Sequence, residues 1–516
     1  DSGGVGEHSA EPWLRRCKAA GVHFVNIGPL REDCADFLDA EWIAPRPNTD
    51  TAFMLALAHT LVAEGLHDSE FLARYTVGFE HFLRYLMGET DGQPKSCEWA
   101  AAICRVEAET IRSLARRMAH SRTMIGMAWS LQRGDHGEQP YWMTVTLAAM
   151  LGQIGLPGGG FGFGYGCEAQ MGAPRTKVPT PNLLEGANAA ASSIPVARIA
   201  DALLRPGETY DFNGETRTYP DIRLVYWCGG NPFHHHQDIN RLVEAFRRPD
   251  TVIVHEPWWT ATARHADIVL PATTTLERND LGSSPRDRFV MAMHKAIEPV
   301  GDARHDFEIF GAIAGRLGFR EQFTEGRTEM EWLRHIYDVW RQRCAQHNVE
   351  LPSFEAFWEQ GYAEIAAPEK PYTMFEAFRA DPKTARLSTP SGKIEIFSQR
   401  IAGFGYDDCP GHAVWMEPVE WLGSATAETY PLHMISNQPR TRLHGQLDCA
   451  GVSRASKIKG REPMWIHPGD AAPRGIRSGD VVRVFNWRGQ VLAGAVVTDV
   501  VMRGAIQLAT GATFDP

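Results

Sequence analysis

Hydrophobic positions recur with a helical period in some stretches and form short apolar runs in others, and the two kinds of stretch alternate along most of the chain. Short apolar runs bounded by turn residues predict buried strands, and longer amphipathic stretches predict helices. Their alternation is typical of parallel sheets layered with helices and predicts an α/β fold. The predicted strands are Val22–Ile27, Thr123–Trp129, Ile222–Cys228, Thr251–Val254 and Ile268–Leu270, and the predicted helices include Thr51–Glu64, Glu107–Ala119 and Gln139–Gly152.

Two changes in the pattern predict domain boundaries. A run of glycines between Gly155 and Gly166 is the best candidate for a junction between two α/β units. Near residue 426 the pattern becomes β-rich, and two strand-like runs flank Asn486–Gly489 as in a hairpin. We therefore predict two α/β nucleotide-binding units over residues 1–165 and 166–425 and an incomplete β-domain over residues 426–516.

Two helices of the second predicted unit have clear apolar stripes. The first passes through Phe307, Phe310, Ile313 and Leu317 and is predicted to be capped by Asp306. The second passes through Leu333, Ile336, Tyr337 and Trp340, and it is the one amphipathic helix that the pattern supports between residues 319 and 425.

Composition excludes several classes of protein. The 516 residues are 43% hydrophobic and 22% charged, as in an ordinary globular protein. The net charge of −11 argues against nucleic acid as a partner, and no apolar run is long enough to predict a membrane span. Nine cysteines without a C-x-x-C pair disfavour a disulfide framework or a closed zinc site. The sequence starts at Asp1 and stops at Pro516 inside recognisable patterns, so we expect a fragment that lacks both termini.

Polar segments follow several predicted strands. In open parallel sheets, ligands bind beyond the carboxyl ends of the strands, where loops present N–H groups and helix N-termini. Such segments are Arg46–Asp50, Trp129–Ser130 with Arg133, Asn231–His235 and His255–Glu256. Two units with such loops predict one large ligand with phosphate and base moieties, or two copies of it.

Two charged residues each have two interpretations. Asp50 is either an N-cap or a carboxylate that accepts both N–H groups of a guanine edge. Arg278 follows a predicted strand, and it either binds phosphate bidentately or forms a surface ion pair with Glu277 or Asp280.

The histidines and the glycine run give weaker signals. His234, His235 and His236 are consecutive and are expected to point in different directions, which disfavours a metal site and favours one ring that hydrogen-bonds a ligand or the backbone. His255 and Glu256 are adjacent on a strand, so they are predicted to face opposite sides. The glycine run follows a helix and lacks the ribose-binding acid of a nicotinamide site, so that cofactor is not favoured.

Seven long motifs occur in order along the chain. They are IAPRPNTD (43–50), HGEQPYWMTVTLAAMLGQIGLPGGGFGFGYG (136–166), YWCGGNPFHHHQDINRL (226–242), VIVHEPWWTATARHADIVLPATTTLERNDLG (252–282), TPSGKIEIFS (389–398), SNQPRTRLHGQLD (436–448) and GREPMWIHPGDAAPRGIRSGDVVRVFNWRGQVLAGAVV (460–497). With these motifs the chain resembles molybdopterin oxidoreductases of the dimethyl sulfoxide reductase family, in the biotin sulfoxide/trimethylamine N-oxide reductase branch.

The resemblance implies two Rossmann-like parallel-sheet units and a double-psi-like β-barrel, here truncated. It implies two molybdopterin guanine dinucleotides on one molybdenum, and oxygen-atom transfer from an S-oxide or N-oxide such as biotin sulfoxide, methionine sulfoxide, dimethyl sulfoxide or trimethylamine N-oxide. It also implies an electron donor such as a cytochrome, a thioredoxin-like protein or an NAD(P)H-linked protein.

The resemblance also implies which residues contact the cofactor. The nucleotide contacts are Pro47, Asn48, Thr49, Asp50, Trp129, Ser130, Arg133, Asn231, His235, His255, Glu256, Arg278 and Asp306. The pterin contacts are Ser436, Asn437, Gln438, Pro439, Arg442, His444, Gly445 and Gln446.

Two departures from the family's pattern bear on function. Ile27-Gly28-Pro29 stands where the family places an acid, so one nucleotide contact is expected to be lost or replaced. The family's molybdenum-ligating serine and the Tyr and Trp of its substrate pocket are expected upstream of residue 1. No metal ligand is therefore predicted here, and the chain alone is expected to be inactive. The alternatives are another bis-molybdopterin enzyme such as formate dehydrogenase, or a non-catalytic scaffold of the same fold.

Overall fold

Short strands and helices alternate through the first four-fifths of the protein, and a five-stranded sheet follows. The computed structural model describes residues 10–163, 176, 178–183, 186–187, 190, 193–283, 288–366, 370 and 372–512. The helices are α1 (Ala10–Ala19), α2 (Asp50–Ala63), α3 (Ser69–Tyr75), α4 (Phe79–Leu86), α5 (Cys97–Cys104), α6 (Ala108–His120), α7 (Glu138–Met150), α8 (Ile199–Leu204), α9 (Pro232–His235), α10 (Ile239–Phe246), α11 (Ala261–Arg264), α12 (Asp306–Arg316), α13 (Arg320–Thr324), α14 (Glu329–Ala345), α15 (Phe354–Gln360), α16 (Glu376–Ala380), α17 (Gln399–Ala402), α18 (Thr426–Thr429), α19 (Gly451–Ser456) and α20 (Pro468–Ala471).

The strands are shorter than the helices. They are β1 (Val25–Ile27), β2 (Glu41–Ile43), β3 (Thr76–Val77), β4 (Met124–Met127), β5 (Gly160–Phe163), β6 (Thr209–Phe212), β7 (Glu215–Thr218), β8 (Leu224–Cys228), β9 (Thr251–His255), β10 (Ile268–Leu270), β11 (Asp280–Ser283), β12 (Phe289–Met293), β13 (Tyr362–Glu364), β14 (Ile394–Glu395), β15 (His433–Ile435), β16 (Pro463–Ile466), β17 (Val481–Phe485), β18 (Gln490–Val497) and β19 (Ala505–Leu508). The predicted mixed α/β fold is confirmed.

The first core surrounds α2. Its predicted stripe of Phe53, Leu57 and Leu61 is buried, but the helix is buried on its other sides too, because α5, α6 and α7 all pack against it. Around this core the parallel pairs β1–β2 and β4–β5 form two separate sheets. At the predicted glycine boundary, residues 155–159 form turns and Gly160–Phe163 is strand β5, which pairs with β4, whereas residues 164–166 lie outside the described residues; the boundary itself stays a prediction.

The second sheet is fully parallel and has the strand order β10-β9-β8. The strand predicted over Ile268–Leu270 is confirmed, and the other two predicted strands are each shifted at one end by one or two residues. Leu242, Phe246 and Phe233 close the core beneath it. The carboxyl ends of all three strands therefore lie at one edge, where the sequence predicts ligand-binding loops.

Residues 280–366 add an antiparallel sheet that the apolar pattern did not predict, with the strand order β11-β12-β13. The amphipathic helix predicted beside it is confirmed as α14, whose Tyr337 and Trp340 are fully buried, with the Tyr337 ring stacked on Phe357. Strand β13 escaped prediction because it has three residues and pairs with β12 some 70 positions earlier in the sequence.

The last sheet is mixed, with the strand order β15-β19-β16-β18-β17. The predicted hairpin is confirmed, because β17 and β18 pair antiparallel from Phe485 opposite Gln490 to Val481 opposite Gly494. The hairpin tip reaches α10, where Asn240 donates its amide N–H to the Arg488 carbonyl at 2.9 Å. Among the described residues, no helix is both long and apolar enough to cross a membrane.

Candidate cofactor site

The loop between β2 and α2 opens a cleft. Asn48 has a φ of 66°, which turns the chain sharply before the helix. Thr49 is the N-cap, although its hydroxyl donates to the Arg46 carbonyl at 2.6 Å instead of capping the helix. Asp50 is the first residue of α2, so the interpretation of Asp50 as an N-cap is wrong. Together with Gly134 and Trp415 these loop residues line what we call the first-loop cleft (Asn48, Asp50, Gly134, Gln139 and Trp415).

The carboxylate of Asp50 has no cationic partner among the described residues. Burial raises its pKa, and the N–H of its own backbone offsets part of that rise. Within the described residues, no hydrogen bond or ion pair joins this carboxylate to another side chain. A partly buried carboxylate without a partner is costly unless a ligand supplies hydrogen-bond donors.

The opposite wall of the first-loop cleft comes from the segment around Trp415, for which the sequence pattern predicted no helix or strand. Val414 donates its backbone N–H to Gln139 Oε1 at 2.9 Å, and Val419 donates its own to Asp135 Oδ2 at 3.0 Å. Tyr85 accepts the Trp415 N–H at 2.9 Å. These anchors lie up to about 330 positions apart in the sequence, and the segment has no periodic pattern that could have revealed them.

Trp129, Ser130 and Arg133 lie in a 3₁₀ turn that immediately follows β4. The predicted strand ends at Met127 rather than Trp129, and all three side chains are exposed beyond it. The Tyr141 hydroxyl lies 2.8 Å from the Trp129 carbonyl oxygen and so fixes the turn to α7. The turn thus presents polar side chains at a strand end, as predicted.

Three segments that are distant in the sequence meet at His235. The rings of His235 and His444 lie edge to face with centroids 4.5 Å apart, and the positive charge of Arg133 acts on both. His234 lies against the next residue of the same loop, because a Cβ on Gly445 would lie 2.3 Å from His234 Nδ1. We call Arg133, His234, His235, His444 and Gly445 the histidine seam. The two adjacent histidines thus contact adjacent residues of the loop after β15, and the divergence of their rings stays a prediction.

The histidine seam is electropositive. Burial lowers the pKa of His235 and of His444, and Arg133 lowers both further. Both ring nitrogens of His234 are buried without a hydrogen-bond partner in the described structure, and burial lowers its pKa as well. Neutral imidazoles beside a guanidinium form a site that favours anions such as phosphate.

The loop after β15 brings together the predicted pterin contacts. Gln438 receives the backbone N–H of His444 at 3.2 Å, and the carbonyl of Asn437 accepts the Thr510 N–H at 2.9 Å. Ser436 and Gln446 are exposed, and Pro439 is buried. The loop is therefore held from both sides while several of its polar groups stay accessible.

Arg442 of this loop is buried in a group of charges. Its guanidinium lies 3.2 Å from Glu462 and 3.3 Å from Asp448, and Lys457 pairs with both carboxylates. It also donates to the Thr510 carbonyl at 3.3 Å. Burial raises the pKa of Asp448, but Lys457 and Ser453 outweigh that effect and lower it overall. We call Arg442, Asp448, Lys457 and Glu462 the buried charge cluster, and its contacts hold the loop in place.

The edge of the β10-β9-β8 sheet carries the remaining predicted nucleotide contacts. Asn231 follows β8 and accepts the Thr262 hydroxyl at 2.5 Å. His255 ends β9 and hydrogen-bonds Asp306 at 2.7 Å. Asp306 is the first residue of α12 and not its cap, which is His305, so the predicted capping role is wrong.

Glu256 and Arg278 complete this edge. Glu256 turns away from the buried His255, as predicted for neighbours on a strand, and accepts from the Trp258 N–H at 3.3 Å and the Thr260 hydroxyl at 3.2 Å. Burial raises its pKa, and these two donors lower it in part. Arg278 pairs with Asp280 at 3.1 Å, so one of its two predicted ion pairs is present.

The predicted residues therefore lie in the loop before α2, the turn after β4, the histidine seam, the loop after β15 and the edge of the β10-β9-β8 sheet. They occupy loops, strand ends and terminal turns of helices in a mixed α/β protein. In the part of the chain that is described, no three His, Cys, Asp or Glu side chains are grouped to hold a metal ion. Such an arrangement suits an organic cofactor held by many separate loops.

Comparison with known proteins identifies the family. Residues 11–316 match the Molybdopterin oxidoreductase family, and residues 432–514 match the Molydopterin dinucleotide binding domain. The chain belongs to the molybdopterin oxidoreductases. This assignment supports the predicted cofactor, molybdenum held by bis(molybdopterin guanine dinucleotide).

Individual relatives agree with the family. The chain is 51% identical to biotin sulfoxide reductase of Cereibacter sphaeroides, over 100% of this chain and 69% of that protein. It is 49% identical to dimethyl sulfoxide/trimethylamine N-oxide reductase of the same organism, over 99% and 64%. It is 47% identical to trimethylamine-N-oxide reductase of Haemophilus influenzae, over 98% and 63%. The chain thus spans about two thirds of the length of these relatives.

A solved structure supports the fold alone. Acetylene hydratase from Pelobacter acetylenicus superposes with a TM-score of 0.68 over 98% of this chain and 70% of that one, at 19% sequence identity. At that identity the likeness concerns the mixed α/β architecture and not the reaction.

Proposed function

We propose that this chain is the cofactor-binding part of a molybdenum-dependent reductase that takes an oxygen atom from an S-oxide or N-oxide. The observation that carries the proposal is 51% identity to a biotin sulfoxide reductase along the whole chain. Dimethyl sulfoxide and trimethylamine N-oxide, named in other relatives, are further candidate substrates. The proposed electron donor is a cytochrome, a thioredoxin-like protein or an NAD(P)H-linked protein.

The residues present fit two guanine dinucleotides. In the first-loop cleft, the isolated carboxylate of Asp50 suits the two N–H donors of a guanine edge, which would compensate its burial. In the histidine seam, Arg133, His235 and His444 suit the negative charge of a diphosphate. In the protein alone, the Asp50 carboxylate has no side-chain hydrogen-bond partner, and both ring nitrogens of His234 lack one among the described residues. Unpartnered buried polar atoms of this kind are expected where a ligand binds.

When bound, the molybdenum cofactor supplies the two-electron oxygen-atom transfer chemistry. The chain's own residues would bind and orient it: Asp50 would accept N–H donors, the histidine seam would balance phosphate charge, and the loop after β15 would offer backbone and amide groups to the pterins. The residues proposed to form the cofactor site, by contact or by positioning a contact, are Pro47, Asn48, Thr49, Asp50, Trp129, Ser130, Arg133, Asn231, His235, His255, Glu256, Arg278, Asp306, Ser436, Asn437, Gln438, Pro439, Arg442, His444, Gly445 and Gln446.

We also propose the finer domain description. The parallel β10-β9-β8 sheet with flanking helices supports a Rossmann-like unit within the proposed residues 166–425, and the parallel pairs around α2 support another within residues 1–165, to whose core Phe378, Ile394 and Ala413 also contribute. The mixed last sheet supports a double-psi-like barrel over residues 426–516.

The test is a cofactor and turnover measurement on the holoprotein. Molybdenum and released guanine nucleotide are quantified per polypeptide, and reduced viologen dye is supplied with biotin sulfoxide, dimethyl sulfoxide or trimethylamine N-oxide. We expect two guanine nucleotides per molybdenum and dye oxidation with at least one oxide. A purified protein with neither molybdenum nor guanine nucleotide would overturn the proposal.

A further inference from the structure

A buried imidazole links a tyrosine hydroxyl to an exposed carboxylate at the edge of the β10-β9-β8 sheet. His255 Nε2 lies 2.8 Å from the Tyr226 hydroxyl, and His255 Nδ1 lies 2.7 Å from Asp306 Oδ1. The His255 side chain is 2% exposed, whereas that of Asp306 is 51% exposed. Both ring nitrogens are thus engaged inside the protein, and of these two side chains only the carboxylate reaches the surface.

The sheet register and an aromatic ring fix this geometry. Cys228 of β8 pairs with His255 of β9, so Tyr226, two residues earlier, lies on the same face and diagonal to the histidine. Phe310 of α12 stacks on the imidazole with centroids 4.9 Å apart and on the Tyr226 ring at 5.8 Å. The imidazole cannot turn without losing both hydrogen bonds and this stacking.

The position of each proton in the Tyr226–His255–Asp306 chain of hydrogen bonds follows from which atoms can donate and which can only accept. An ionised carboxylate only accepts, so His255 Nδ1 must carry the proton that it donates to Asp306. A neutral imidazole protonated at Nδ1 accepts at Nε2, so Tyr226 donates its hydroxyl there. One carboxylate oxygen is thereby occupied, and no described side chain hydrogen-bonds the other oxygen of Asp306.

We infer that Tyr226 and His255 are positioning residues that orient Asp306 to accept an N–H or O–H donor of the bound nucleoside, and that His255 itself does not touch the nucleotide. The inference rests on the proposed function. It gives His255 a different role from the direct contact that the family resemblance implies, because neither of its nitrogens has a bond left for a ligand.

The experiment measures how fast guanine nucleotide leaves the holoprotein in the Asp306→Asn, His255→Ala and Tyr226→Phe variants. Losing a charge-assisted bond should speed release about tenfold or more in Asp306→Asn, and losing the neutral Tyr226 bond should speed it about fivefold. The double variant His255→Ala/Asp306→Asn should release no faster than Asp306→Asn, because His255 acts only through that carboxylate. Glu308→Gln, in the same first turn of α12, is the charge-matched control and should match wild type.

The conservative variant His255→Asn tests whether His255 acts by orienting Asp306 rather than by stabilising the fold. In His255→Asn the amide nitrogen lies near the position of Nδ1 and keeps a donor for Asp306, so release should return to the rate of Tyr226→Phe. Additive effects of His255→Ala and Asp306→Asn would show that His255 contacts the nucleotide and would overturn the inference. So would a wild-type release rate in both Tyr226→Phe and His255→Ala. A wild-type protein without any guanine nucleotide would instead overturn the proposed function.

Discussion

Replacing Asp50 by Asn should change cofactor retention and stability in opposite directions. The carboxylate lies in the first-loop cleft without a cationic partner among the described residues, and burial raises its pKa. A raised pKa means that the ionised form is less stable in the folded chain than in the unfolded chain, so at neutral pH the charge destabilises the cofactor-free protein. Asparagine removes that penalty but cannot accept both guanine N–H groups.

The magnitude of the loss follows from the proposed bidentate contact. Such a pair contributes about 1–3 kcal/mol, which at about 1.4 kcal/mol per tenfold corresponds to about 5- to 150-fold weaker retention. The free energy of unfolding of the cofactor-free Asp50→Asn protein should equal or exceed that of wild type at pH 7. The difference should shrink as the pH falls through the raised pKa of wild-type Asp50 and should disappear below the ordinary Asp value of about 3.9.

The assay combines guanine nucleotide content with denaturant unfolding of the cofactor-free protein at pH 7 and pH 4. Glu138→Gln is the matched control, because Glu138 is also the first residue of a helix, α7, and is exposed. Glu138→Gln should leave the guanine nucleotide content unchanged, and it should change the free energy of unfolding by no more than about 0.5 kcal/mol. Unchanged nucleotide content in Asp50→Asn, or a cofactor-free protein less stable than wild type at pH 7, would refute the reasoning.

Three further results are expected. Gly445→Ala should destabilise the protein by about 1–3 kcal/mol in denaturant unfolding, because the added Cβ would lie 2.3 Å from His234 Nδ1. The control Gly451→Ala places its Cβ in open space and should not destabilise the protein. Without cofactor, the thermal midpoint should fall as the pH drops below about 6.5, since the lowered pKa values in the histidine seam favour protonation of the unfolded chain; a flat profile would contradict this. Arg278→Ala should lower molybdenum content more than thermal stability, because its half-buried ion pair with Asp280 and its bond to the Thr273 carbonyl contribute modestly to folding, and unchanged molybdenum would count against a phosphate contact.

Sequence reasoning succeeded where the determinants are local. The strand over Ile268–Leu270, the hairpin around Asn486–Gly489 and helix α14 follow from apolar periodicity and turn residues within short windows. Motifs after strands also identified Asp50 and His235 as candidate site residues, because loop position at a strand end needs no knowledge of distant contacts.

What escaped prediction depends on partners far away in the chain. The wall formed by Trp415 is placed by Tyr85 and has no periodicity of its own. The link from Tyr226 to His255 depends on strand register, and the assignment of Asp306 as a cap failed because its carboxylate bonds an imidazole 51 positions away rather than its own helix. Propensity describes a residue's neighbours in sequence, whereas these roles are decided by neighbours in space.

The buried charge cluster constrains how the sequence can vary. Its two cations, Arg442 and Lys457, balance two anions, Asp448 and Glu462. Loss of any one charge leaves another charge uncompensated in the interior, which destabilises the fold by about 3–5 kcal/mol. Replacing a cation and its anion together leaves no uncompensated charge and avoids that cost. Across homologous sequences the four positions are therefore expected to covary, so that they either change together or all stay the same.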